Sequence, residues 1–113
     1  MLYLEKKQES DGLKFEWDQE KNLINQKKHK ISFETAAYVF ADKNYIEMYD
    51  FEHSIDEDRY IAIGCVGEVL FVVFTERKEN IRLISARLAT ESERRLYYAQ
   101  DNYRKLWMQR TLR

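Results

Sequence analysis

The stretch "IRLISARLATESERRLYYAQ", residues 81–100, carries Arg82, Arg87, Arg94 and Arg95 where a strand-like run passes into a helix-like one. A strand of a small domain buries at least one face, so arginines there belong at its end or on an open side. What they offer is anion recognition: a guanidinium is a planar fork matching two oxygens of a phosphate or carboxylate, whereas a lysine ammonium is a point charge. Arg87 closes the strand just before a helix start, whose free N–H groups also favour an anion; the alternative is a surface ion pair with Glu91 or Glu93. Arg59 begins another strand after the acidic turn "HSIDED", with pairing to Asp56 or Glu57 as its alternative. Arg77 ends a third strand and either reaches the same rim or is a hairpin-end charge. Strand alternation puts Arg82 on the opposite face from Arg87, exposed or facing a partner.

For proton transfer the chain has two histidines. His29 closes "NQKKH", where a cation also suits the negative end of a helix dipole; Lys27 and Lys28 beside it are a solvated helix face or an anion contact. His53, inside the acidic turn, reads as a loop residue. Two His and one Cys at no ligand-like spacing predict no metal site. Neither a glycine-rich phosphate loop nor a serine nucleophile elbow is present, and no cofactor is expected. Cys65, in "YIAIGCVG", reads as a small apolar strand residue.

The net charge of −1 conceals a division. Residues 1–75 hold 9 Lys+Arg against 15 Asp+Glu, while residues 76–113 hold 10 against 5. Eight of nine arginines lie in that last third, so the capacity to bind anions is concentrated there. A chain of 113 residues, 44% hydrophobic, suits one domain with one modest core. The longest apolar run, "VLFVVF", is far too short to span a bilayer, so no membrane association is expected. With one cysteine and no signal-peptide-like start, a reducing cytoplasm is the expected setting.

These residues must be positioned by elements whose signals are local. "KFEW" reads as a short strand. Asp18 caps a helix through "QEKNLINQKKH", and Ser32 caps a second, "FETAAYVFAD", with Phe33, Ala37 and Phe40 on one face. "YIEMYDF", "RYIAIGCV", "VLFVVFTER" and "IRLISAR" alternate or run apolar as four strands, the middle two joined tightly at Gly67 and Glu68. Thr90 with Glu93 three residues on forms a capping box for a last helix, on which Leu96, Tyr103 and Trp107 share a stripe. The expected fold is α+β: a short N-terminal strand, two helices, an antiparallel meander of about four strands and a C-terminal helix. Residues 1–13 are expected to be an extension, and 14–113 a single domain.

Taken together, "FEWDQEKNLINQKKHKISFETAAYVFAD", "HSIDEDRYIAIG" and "VLFVVFTERKENIRLISARLATESERRLY" resemble the BrnT family of toxins from type II toxin–antitoxin systems. The resemblance covers roughly residues 15–98. It implies a RelE-like fold and metal-independent ribonuclease activity. It also implies a BrnA-like antitoxin that neutralises the toxin and represses their shared operon, so that operator DNA is met only through the antitoxin. On that footing Arg59, Arg87, Arg77 and His29 become candidates for the cleavage chemistry. So does Tyr97, since RelE-like toxins can place a functional tyrosine on the last helix, although core packing is its other reading. Lys27, Lys28 and Arg82 become candidate RNA contacts. Lys30 stands where the family usually has glycine, at a position suited to left-handed backbone.

Overall fold

A computed structural model of the chain describes residues 2–4 and 12–100. Strand β1 (Leu2–Leu4) and strand β2 (Lys14–Trp17) lead into helix α1 (Gln19–His29). Helix α2 (Phe33–Ala36) continues directly as a 3₁₀ turn, Ala37–Ala41, rather than the longer α-helix expected over 33–42. Then come β3 (Ile46–Tyr49), β4 (Tyr60–Val66), β5 (Glu68–Arg77) and β6 (Asn80–Leu88), and a last helix, α3, through residues 91–100. The sheet order is β1-β2-β6-β5-β4-β3. The expected meander is β3 to β6; β2 adds to it parallel to β6, and β1 pairs antiparallel with β2.

Local signals explain the helix ends. The Asp18 carboxylate accepts from the N–H groups of Glu20 (2.9 Å) and Lys21 (3.4 Å). Ser32 Oγ accepts from Thr35 N–H at 3.1 Å. Lys30 terminates α1 in left-handed backbone with φ 62°, a conformation glycine adopts at lower cost. Gly64 has a different duty: a Cβ there would lie 2.8 Å from Val39 Cγ1, so its bareness lets the 3₁₀ turn sit on β4.

The core lies mainly between α2, its 3₁₀ extension and one face of the sheet. Phe15, Trp17, Phe33, Phe40, Val72, Phe74, Ile81, Leu83 and Ala86 pack there, with Phe40 edge-on to Phe74 at 5.0 Å. A smaller cluster on the other face joins Ile63, Val69, Ala89 and Tyr97, so α3 covers part of that side. On α3 the buried residue is Tyr97; Leu96, expected on the inner stripe, is 47% exposed. Tyr103 and Trp107 lie outside the described residues.

Helix α1 is held by amides rather than apolar contacts. Asn22 and Asn25 are its buried residues, while Leu23 and Ile24 face out. Asn22 Oδ1 accepts from Phe33 N–H at 2.8 Å and so orients α2. Strand β2 pairs with β6 only as far as Arg82, which leaves the β6 edge beyond it without a strand partner on that side. Asn25 takes over: its Oδ1 accepts from Ala86 N–H (3.1 Å), and its Nδ2 donates to the carbonyls of Ala86 (2.8 Å) and Ile31 (2.9 Å). Replacing Asn25 with Ala orphans three buried backbone groups, and the expected loss is roughly 3–5 kcal/mol. Urea unfolding checks it; a loss below about 1 kcal/mol means that these groups find other partners.

Candidate functional site

The pairing of β5 with β6 passes from Val73↔Ser85 to Phe74↔Leu83, leaving Ile84 as an extra residue on β6. A bulge of this kind resets alternation. Ile81, Leu83 and Ala86 all reach the helix-covered core, and Arg82 and Arg87 both lie on the other face. The expectation that they face opposite ways is therefore wrong, because simple parity cannot count an inserted residue. Nor is Arg82 exposed: its side chain is 13% accessible and donates to the buried Glu16, its neighbour on β2, at 3.1 Å.

Arg87 lies over the Phe71 ring, 3.9 Å from its centroid. It donates to both oxygens of Glu93, at 2.8 and 3.0 Å, and to the Leu88 carbonyl at 3.1 Å. The ion-pair alternative with Glu93 is realised. Glu93 also completes the capping box, accepting from Thr90 N–H at 2.8 Å while its own N–H donates to Thr90 Oγ1 at 3.3 Å. The Arg87 hydrogen bonds are the largest influence on Glu93 and hold its carboxyl below its ordinary pKa, against the opposing effect of partial burial.

Arg59 is set by the loop between β3 and β4. Asp50 N–H donates to the Arg59 carbonyl (2.9 Å), Arg59 N–H to Ser54 Oγ (2.8 Å), and Ser54 Oγ–H to the Asp50 carbonyl (2.6 Å). Thr75 Oγ1 pins the loop to β5 through the Asp58 carbonyl at 2.6 Å. Arg59 forms no salt bridge among the described residues, to Asp56, Glu57 or any other carboxylate, and its buried Nε lacks a hydrogen-bond partner.

Arg59 and Arg87 meet in a concavity of about 400 Å³ on the open part of this face. Its floor is Ile61, Phe71, Val73, Ile84 and Ser85; Asp50, Glu52 and His53 share its rim. His53 Nδ1 sits 2.9 Å from one oxygen of the largely buried Asp50 carboxylate and 3.1 Å from the other. Sequence reasoning takes this histidine for a loop residue, which it is, and misses its tie to Asp50; the available signal is an Asp three residues before a His inside a turn. The site can thus present two guanidinium groups and a carboxylate-held imidazole around an apolar floor.

The other candidates lie elsewhere. Arg77 pairs with Glu57 at 3.3 Å, the hairpin-end alternative. His29, Lys27 and Lys28 occupy the last turn of α1 and do not line the concavity. Tyr97 is buried and donates to Asp42 Oδ2 at 2.5 Å; that oxygen also accepts from Cys65 N–H at 2.8 Å. Its position is that of a core residue tying α3 to the end of the 3₁₀ turn. Among the described residues no group of three or more His, Cys, Asp or Glu side chains could hold a metal ion, and no helix is long and apolar enough to cross a membrane.

A sheet with two helices on one face, a third helix over part of the other and two arginines at a concavity beside it defines a small α+β domain. The family described as "Ribonuclease toxin, BrnT, of type II toxin-antitoxin system" matches residues 17–93, and the chain belongs to that family. A similar solved structure is the Brucella abortus ribonuclease toxin BrnT. It is 22% identical with a TM-score of 0.52, over 66% of this chain and 94% of that one, a likeness of fold. No curated protein matches the chain. The family match spans the whole concavity and ends before Tyr97.

The Glu93 clamp yields a pH-dependent expectation. A carboxyl whose folded pKa is depressed stabilises the fold above its unfolded pKa, and that contribution disappears as pH falls through the folded value. Wild type should therefore exceed Glu93→Gln by about 1–2 kcal/mol near neutrality. The gap should close in acid, below the ordinary glutamate range. Thermal melting of both proteins across that range checks it; a gap independent of pH would show that charge is not what holds Arg87.

Proposed function

We propose that this chain is the toxin of its pair and cuts RNA without a metal ion, by attack of a ribose 2′-OH on the adjacent phosphate. One observation supports this above the others: Arg59 and Arg87 share a concavity with an imidazole already bound to a carboxylate. With Nδ1 engaged by Asp50, Nε2 is the nitrogen left to accept a proton. His53 takes the 2′-OH proton, the 2′-oxygen bonds to phosphorus, and the bond to the 5′-oxygen breaks. The imidazolium returns its proton to that leaving oxygen, giving a 2′,3′-cyclic phosphate and a 5′-hydroxyl. The two guanidinium groups offset charge gathering on the phosphoryl oxygens, and stabilisation of that kind is commonly the dominant source of rate enhancement. Arg59 brings donors without a competing carboxylate; Arg87 is pre-oriented by Phe71 and Glu93. A BrnA-like antitoxin neutralises the toxin in the cytoplasm, and operator DNA is bound by the antitoxin.

A second reading draws on the Glu93 clamp. With both terminal nitrogens of Arg87 already engaged, the domain would bind an antitoxin or nucleic acid without cutting. The two readings diverge in one set of variants. Under the first, Arg59→Ala and Arg87→Ala each lower RNA cleavage by roughly 10²–10³, and His53→Ala by roughly 10²–10⁴. Lysine at position 87 restores little, because it keeps the charge and loses the fork. Arg77→Ala, an exposed hairpin-end change, cuts as wild type. Cleavage assays beside thermal melting decide. Wild-type protein that is folded and inert supports the second reading, and variants that cut like wild type while folded remove these residues from the chemistry.

A further inference from the structure

The β3–β4 loop displays apolar side chains that nothing in the cleavage chemistry requires. Phe51 and Ile55 are each 84% exposed, well above any other large apolar side chain among the described residues. The loop is no loose excursion. Besides the Ser54 and Thr75 ties, Tyr49 OH donates to Asp58 Oδ1 at 2.7 Å, Arg77 donates to Glu57, and the Phe51 ring stands edge-on to Tyr49 at 4.6 Å. Large apolar groups held out on a pinned loop mark an interaction surface.

The charge around them selects the occupant. Asp50, Glu52, Asp56, Glu57 and Asp58 fall within nine consecutive positions, against one arginine just beyond and one histidine. Partial burial, and next the negative charge of the Asp58, Glu76 and Glu47 carboxylates, push the Tyr60 phenol upward, a sign of the field at this end of the sheet. Outside the concavity, where among the described residues no arginine offsets these carboxylates apart from the Arg77–Glu57 pair, such a surface suits a cationic polypeptide better than a phosphate backbone.

We infer that the β3–β4 loop is the docking surface for the antitoxin, which covers Phe51 and Ile55 with an apolar, basic segment. This rests on the proposed function for the partner's identity. Because the same loop carries Asp50 and His53 and anchors Arg59 through Ser54, a partner seated there lies against the concavity and closes it to RNA. Neutralisation then acts through the surface beside the arginines, leaving their fork free of a mimic of the substrate.

The test titrates the full chain with the protein encoded next to it, by calorimetry at two salt concentrations. Phe51→Ser and Ile55→Ser should each weaken binding about 30-fold or more, the scale of an interface hot spot. Asp56→Lys should weaken it and flatten its salt dependence. Free Phe51→Ser/Ile55→Ser protein should cut RNA as wild type does. Unchanged affinity in the serine variants overturns the inference. So does intact antitoxin binding with impaired cleavage, which would make this an RNA surface, or a wild-type self-association that the substitutions dissolve. A wild-type protein that binds no neighbouring gene product removes the antitoxin reading itself, an outcome distinct from the others.

Discussion

One inserted residue in β6 governs the faces of the molecule. With Ile84 set between the pairs Val73↔Ser85 and Phe74↔Leu83, Ile81, Leu83 and Ala86 all point toward α2, and both strand arginines lie on the far side. Without it, a strand with Leu83 in the core would turn Arg87 inward among aromatic rings, where an unpaired guanidinium could not be tolerated. The bulge lets one strand contribute three core residues and two cations at once.

The two arginines brought together in this way meet different partners. Arg82 lies beside β2 and joins Glu16 in a nearly dry pair, fixed by the parallel β2–β6 register. Arg87 lies past the end of β2, where Asn25 replaces the missing strand, and there α3 supplies Glu93. The glutamate that starts α3 is thus also the one that aims Arg87 across Phe71. Arg59 approaches from the opposite side of the concavity on a loop closed by its own backbone, with no carboxylate to hold it. Structural and available cations are separated by which neighbour each strand end meets.

What could be read beforehand was local. Asp18, Ser32 and the Thr90–Glu93 box were legible because a cap needs only residues two or three positions apart. The four-strand meander was legible from alternation and from the turn at Gly67, which has φ 73°. The parallel addition of β2 and the burial of Arg82 depend on partners more than sixty positions away in the chain, and the bulge on a shift of register within the β5–β6 hairpin, which no local pattern reports. Family resemblance singled out Arg59 and Arg87, and the fold places them in one concavity. It also raised Tyr97 and His29, which the fold places away from it. His53 reads as a loop residue and Asp50 is not singled out, because an acidic turn looks like a solvated edge until its neck is seen to be hydrogen-bonded shut.

The central claim is that the chain's own side chains suffice to cut RNA. The most direct measurement is end-group analysis of RNA incubated with purified, antitoxin-free protein in excess chelator. The account predicts cleavage that persists, with 2′,3′-cyclic or 3′-phosphate on one fragment and 5′-hydroxyl on the other. Activity abolished by the chelator and restored by magnesium, with 5′-phosphate ends, would contradict it.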